Sequence, residues 1–146
     1  MTQLKNFLSK KDEEEIIEAI KQAERKTSGE IRVHIEAHTD EDHFDHALKV
    51  FEQLEMHQTA ERNGVLIYIA VNDHQFVILG DEGINQVVPA DFWNKTRDVI
   101  QSQFRQGNFK QGIIDGIHQA GKELKLHFPY QENDTDELSN EISKSS

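Results

Sequence analysis

Residues 64–71 read GVLIYIAV, an almost unbroken apolar run closed by Asn63 on one side and Asn72-Asp73 on the other. A strand that is apolar at successive positions has no face to give to water, so it must lie inside a sheet covered on both sides. The turn-like Asn72-Asp73-His74 and the short apolar piece Phe76–Leu79 (FVIL) follow at once. So short a connection permits only a hairpin, and the second strand must run antiparallel to the first.

The rest of the chain supplies the cover. Ser9 is placed to cap a helix with Asp12 three residues on, a variant of the capping box. Glu13, Glu14 and Glu15 then suit the positive end of the helix dipole. Ile16, Ile20 and Ala23 share one face, and Ser28-Gly29 ends the helix. Residues 30–36 (EIRVHIE) alternate Ile31, Val33 and Ile35 with Arg32, His34 and Glu36, the pattern of a strand with one polar face. Phe44, Ala47, Leu48, Phe51 and Leu54 mark a second amphipathic helix. Beyond the hairpin, Gly80-Asp81-Glu82-Gly83 breaks the pattern and Val87-Val88-Pro89 reads as a short extended piece. A helix carrying Phe92, Trp93, Val99, Ile100 and Phe104 follows. After Gly107-Asn108 comes a last helix with Ile113, Ile117, Ala120, Leu124 and Phe128 on one face, stopped by Pro129. Phe92 and Trp93 read as core.

The order α-β-α-β-β-α-α gives an α/β fold. The segment 30–71 is a parallel strand–helix–strand crossover within a mixed sheet that carries helices on both faces. Residues 1–130 form one domain. Residues 131–146 hold five acids against Lys144 and no sustained apolar period, so they read as a disordered acidic tail.

Charge and composition exclude several functions. The net charge of −11 opposes phosphate backbones and anionic membrane surfaces, so neither nucleic acid nor membrane is expected as a partner. No apolar run is long enough to span a bilayer and MTQLKNFLSKKDEEE is not a signal peptide, which makes the cytoplasm the expected compartment. Without cysteine, any metal must be held by oxygen or histidine. No GxGxxG, GxxxxGK[ST] or GxSxG sequence occurs.

The topology sorts polar residues onto two rims. The hairpin rim takes Glu36, His38, Asp40, Glu41, Asp42, Asn72, Asp73 and His74. The opposite rim takes Thr27, Ser28, Glu30, Glu61, Arg62, Asn63, Asp81, Glu82 and Asn85. Either rim offers oxygens from distant parts of the chain, as a hard cation requires, although acids in loops are more often simply solvated. His43 and His46 stand at i, i+3 beside Asp42 and Asp45, a spacing open to zinc but without a third ligand at a fixed interval. His34 reads as a surface or helix-covered residue. His118 and His127, placed on the last helix, read as structural.

The order and spacing of four short motifs resemble a known family. Thr27-Ser28-Gly29-Glu30 opens the first strand and Asn63-Gly64-Val65-Leu66 the second. Val71-Asn72-Asp73 makes the hairpin, and Phe104-Arg105-Gln106-Gly107-Asn108-Phe109-Lys110-Gln111-Gly112 lies late in the chain. Over about residues 5–128 this resembles the TPM domain of thylakoid-lumen, photosystem-II-repair and receptor-modulator proteins. The resemblance implies a three-layer α/β/α sandwich of Rossmann-like form and divalent-cation binding, Ca²⁺ or Mg²⁺. It implies weak acid phosphatase activity in some members. It also selects the rim with Glu30 and Asn63. Where the family carries G-x-G-x-E-G after the third strand, this chain has Gly80-Asp81-Glu82-Gly83-Ile84-Asn85: the acidic position has either moved or is replaced by Asn85, with Asp81 and Glu82 as the substitute ligands. The late motif carries Asn108 where Asp is common.

The expectation is therefore a cation-binding domain with Glu30, Asn63, Asp81 and Glu82 as ligands. The alternatives are a metal-dependent phosphatase, and an interaction module whose acidic tail or hairpin rim meets a basic protein.

Overall fold

The computed structural model describes residues 7–130 and 142–145. The elements run α1 (Lys10–Glu24), β1 (Glu30–Glu36), α2 (His43–Gln53), β2 (Gly64–Ala70), β3 (Gln75–Gly80), α3 (Glu82–Asn85), α4 (Asn94–Arg105), α5 (Phe109–Lys125) and β4 (Ser143–Ser145). The sheet order is β3-β2-β1-β4. Strands β1 and β2 are parallel from Glu30↔Gly64 to Glu36↔Ala70, and β3 returns antiparallel. The fold is the mixed α/β sandwich that the sequence pattern requires.

Every residue of β2 is buried, because alternate side chains enter different cores. Val65, Ile67 and Ile69 meet Ile31, Val33 and Ile35 of β1 under α1, α4 and α5. Leu66, Tyr68 and Ala70 pack instead with Ala47, Val50 and Phe51 of α2. The capping box of α1 is formed in both directions: the Ser9 hydroxyl accepts from the Asp12 N–H and the Asp12 carboxylate from the Ser9 N–H. Helix α5 is tied back to the start of β1, where the Ser28 N–H donates to the Phe128 carbonyl at 2.8 Å.

His34, read as a surface or helix-covered residue, is covered: it and Glu36 are buried, in a network that reaches α2. Two expectations are corrected. The four-residue α3 stands where only a break was read, because Asp81 caps it at the Glu82 N–H. Val87-Val88-Pro89 forms no strand, and residues 86–88 take turns and bends. The tail gains a feature the apolar pattern had no means to reveal. Ser143–Ser145 pair parallel to His34–Glu36, using the open edge of β1, while Ile142 touches the core and Lys144 pairs with Glu13. Backbone pairing at an edge needs no apolar period. Residues 131–141, which carry most of the expected disordered stretch, lie outside the described residues.

Candidate functional site

The starts of β1 and β2 and the end of β3 meet at one rim, as the topology demanded. Four polar residues there are nearly inaccessible: Thr27 is 1% exposed, Glu30 4%, Asn63 1% and Asp81 7%. The backbone sets the spacing. The Glu30 N–H donates to the Asn63 carbonyl (3.3 Å) and the Asp81 N–H to the Gly64 carbonyl (3.0 Å). Around Asn63 the side chains are knotted together. The Ser28 hydroxyl donates to Glu61 Oε2 (3.0 Å), the Asn63 amide donates to the same oxygen (3.3 Å), and the Thr59 hydroxyl accepts the Asn63 N–H (3.2 Å).

The second half of the rim is neutralised from within. Arg62 lays its guanidinium along the Asp81 carboxylate, Nε to Oδ2 at 2.8 Å and Nη2 to Oδ1 at 3.0 Å. Glu82 lies 3.5 Å from Nη1. This is the two-pronged geometry in which arginine binds carboxylates best. Arg62 itself adopts φ +52°, a left-handed conformation unfavourable for a residue with a side chain. Its carbonyl accepts the Gly83 N–H at 2.9 Å. Beside the ion pair opens a cleft of about 560 Å³ between α2, β3 and α3. Phe44, Leu48 and Leu79 form its apolar wall, and Arg62, Asp81 and Glu82 lie at its polar end.

The four residues expected as ligands thus do share one rim. In kind they suit a hard cation, being oxygen donors only. In arrangement they do not close on one: Asp81 already gives both oxygens to Arg62, and among the described residues no three His, Asp or Glu side chains are grouped to hold an ion. The sequence placed Arg62 and Glu61 on this rim without giving them a role. The signal was available in the basic residue beside Asn63, but its partner, nineteen positions away, was not.

The hairpin rim is built from histidine and carboxylate. Asp73 accepts from His38 Nδ1 (2.5 Å), His43 Nε2 (2.9 Å) and the Thr39 N–H (3.1 Å), and His38 Nε2 reaches Asp40 at 2.7 Å. His46 turns instead to Glu36 and Glu41. His43 and His46 therefore serve different carboxylates and do not converge as a zinc pair. The bond from His38 holds the Asp73 carboxyl well below the usual carboxylate range, and the same contact, with Asp40 adding to it, raises the His38 pKa above 6.5. Burial lowers that of His34 below 6.5. His118 lies exposed on α5, and His127, in the turn after it, touches the Phe92 ring.

The sign of the pH dependence follows. The His38 contact contributes stability below pH 6.5 and loses it as the pH rises through the higher folded value. The lowered pKa of Asp73 contributes above the ordinary carboxylate range and is lost as the pH falls through the folded value. Imidazole NMR titration is expected to place the His38 midpoint above 6.5 and that of His34 below it. Asp73→Asn should lower the His38 midpoint, and an unchanged midpoint would reject the contact as its cause.

Among the described residues no helix is long and apolar enough to cross a membrane. The solved structures contain close likenesses. The NMR structure of the BA42 protein from the psychrophilic bacterium Bizionia argentinensis is 54% identical and superposes with a TM-score of 0.94, over 99% of this chain and 100% of that one. The solution structure of the N-terminal domain of a protein from P. gingivalis shares the fold at 21% identity, with a TM-score of 0.68, over 88% of this chain and 84% of that one. No protein of curated function matches the chain. The sequence profile of the TPM domain matches residues 1–123, and with the motifs at the strand starts, the hairpin and the α4–α5 turn in place, the chain belongs to the TPM-domain family.

Proposed function

We propose that this domain binds a divalent cation, Ca²⁺ or Mg²⁺, at the Glu30/Asn63/Asp81–Glu82 rim, in competition with the Arg62 guanidinium. The observation that carries the reading is the convergence of buried Glu30, Asn63 and Asp81, all oxygen-bearing side chains, from three strand ends. Arg62 compensates the charge of Asp81 in the structure as it stands. A cation would draw on Glu30 and Asn63, with Glu61 beside them, and would take Asp81 and Glu82 only as Arg62 swings out. Arg62 has the freedom to do so, since its side chain is 40% exposed. When bound, the ion would supply positive charge to this rim in place of the guanidinium.

Competition of this kind makes binding weak, with Kd near ~1 mM, the range of low-affinity calcium modules. Amide-shift titration with Ca²⁺ and Mg²⁺ is expected to give saturable shifts at residues 28–30, 61–64 and 80–85. Arg62→Gln should tighten binding by about tenfold, because it removes the charge that competes for Asp81. Absence of saturable shifts in both wild type and Arg62→Gln would overturn the reading.

A further inference from the structure

The late sequence motif, Phe104 to Gly112, takes no part in either rim. It wraps a cavity of about 240 Å³ at the hairpin end of the helical layer. Four phenyl rings stand along it in sequence of contact: Phe76 against Phe104 (centroids 5.5 Å, 75°), Phe104 against Phe109 (5.4 Å, 61°) and Phe109 against Phe7 (4.9 Å, 47°). None of the four is fully buried. Gly107, at φ +81° with open space where a side chain would stand, makes the turn that sets Phe104 and Phe109 on one wall. From the other side α5 presses on Phe104: a side chain at Gly112 would lie 2.7 Å from that ring. The wall is preformed.

Arg105 and Gln101 also line the cavity. Arg105 makes no ion pair among the described residues, although the chain carries a net charge of −11, and the Gln101 amide makes no hydrogen bond among them. His74 and Gln75 of the hairpin complete the polar part of the lining. An aromatic hollow beside a guanidinium with no ion-pair partner among the described residues has the chemistry of a small-molecule site: apolar walls, and few polar groups to fix orientation. The guanidinium fork matches a carboxylate. The volume lies just under the ~300 Å³ at which pockets for larger ligands begin, so the occupant has one or two rings or a short alkyl chain.

We infer that the cavity between the β2–β3 hairpin and the α4–α5 turn binds a small aromatic or short-chain carboxylate, its apolar body among Phe7, Phe76, Phe104 and Phe109 and its carboxylate on Arg105. This site is separate from the rim that holds Glu30 and Asp81 and does not depend on a cation.

The test uses the full chain with 1-naphthoate and, as its uncharged counterpart, 1-naphthamide, each titrated while amide shifts are read. Saturable shifts confined to residues 69–76 and 101–109 are expected with naphthoate. Arg105→Gln should weaken naphthoate about tenfold and leave naphthamide unchanged, since only the charge-assisted pair is lost. Gln101→Trp, an exposed position whose larger ring would crowd the mouth, should weaken both probes, with thermal unfolding confirming that the variant is folded. Naphthoate binding of equal strength in wild type and Arg105→Gln would overturn the assignment of the carboxylate. No saturable shift in this region with either probe would overturn the site.

Discussion

Gly83→Ala is expected to destabilise the domain by about 3 kcal/mol or more, the upper range for forcing atoms into a packed site. A Cβ at Gly83 would stand 2.1 Å from the Glu61 carbonyl oxygen and 2.6 Å from that of Arg62. Both are backbone atoms, so no rotamer change relieves the contact. The 61–62 segment must retreat, and the bond from the Gly83 N–H to the Arg62 carbonyl goes with it. Since that segment carries Arg62 and leads into Asn63, the same substitution should displace the ion pair on Asp81. Denaturant unfolding measures the first effect, and the Arg62 Nε–H resonance reports the second. A loss below about 1 kcal/mol would mean the loop yields easily, and the close approach would then not fix the rim. Gly107→Ala makes the contrast: it meets no atom and pays only for its positive φ, about 1 kcal/mol.

Glu36→Ala is the second large effect, about 3 kcal/mol. The carboxylate is 3% exposed and accepts from the Tyr68 hydroxyl at 2.5 Å, His34 Nε2 at 3.1 Å and His46 Nε2 at 3.0 Å. Truncation removes the common acceptor and strands a fully buried hydroxyl, which costs more than the net worth of the bonds themselves. Glu36→Gln separates charge from hydrogen bonding. It keeps one acceptor oxygen and should recover about half of the loss, so equal losses in the two variants would show that the charge alone matters. The Tyr68 hydroxyl, whose pKa burial and then Glu36 push upward, should become easier to ionise in both variants.

The unbroken apolar run of β2, the capping box at Ser9 and the hairpin after Val71 were all legible along the chain, because each depends on neighbours within a few residues. So was the sorting of residues onto two rims, which follows from strand direction alone. Less was legible about burial. The alternation of Arg32, His34 and Glu36 left His34 open between surface and helix cover; it and Glu36 are covered, Glu36 bonded to His46 of α2 and Tyr68 of β2, and His34 to Glu36 and Ser143. The pairing of His43 with Asp73 and of His46 with Glu36 spans 30 and 10 positions, and the common spacing of the two histidines on one helix concealed their separate destinations.

The candidate cation site shows the division most sharply. Composition restricted any metal to oxygen or histidine, and topology brought Glu30, Asn63, Asp81 and Glu82 to one rim. Whether those oxygens stand ready for an ion was decided in three dimensions, by a guanidinium that crosses from the start of β2 to the end of β3 and grips Asp81 with both prongs. The physical reason is the range of the interactions. Periodicity, caps and turns are local and written in the order of residues, while charge compensation depends on which distant side chains the sheet sets about 3 Å apart.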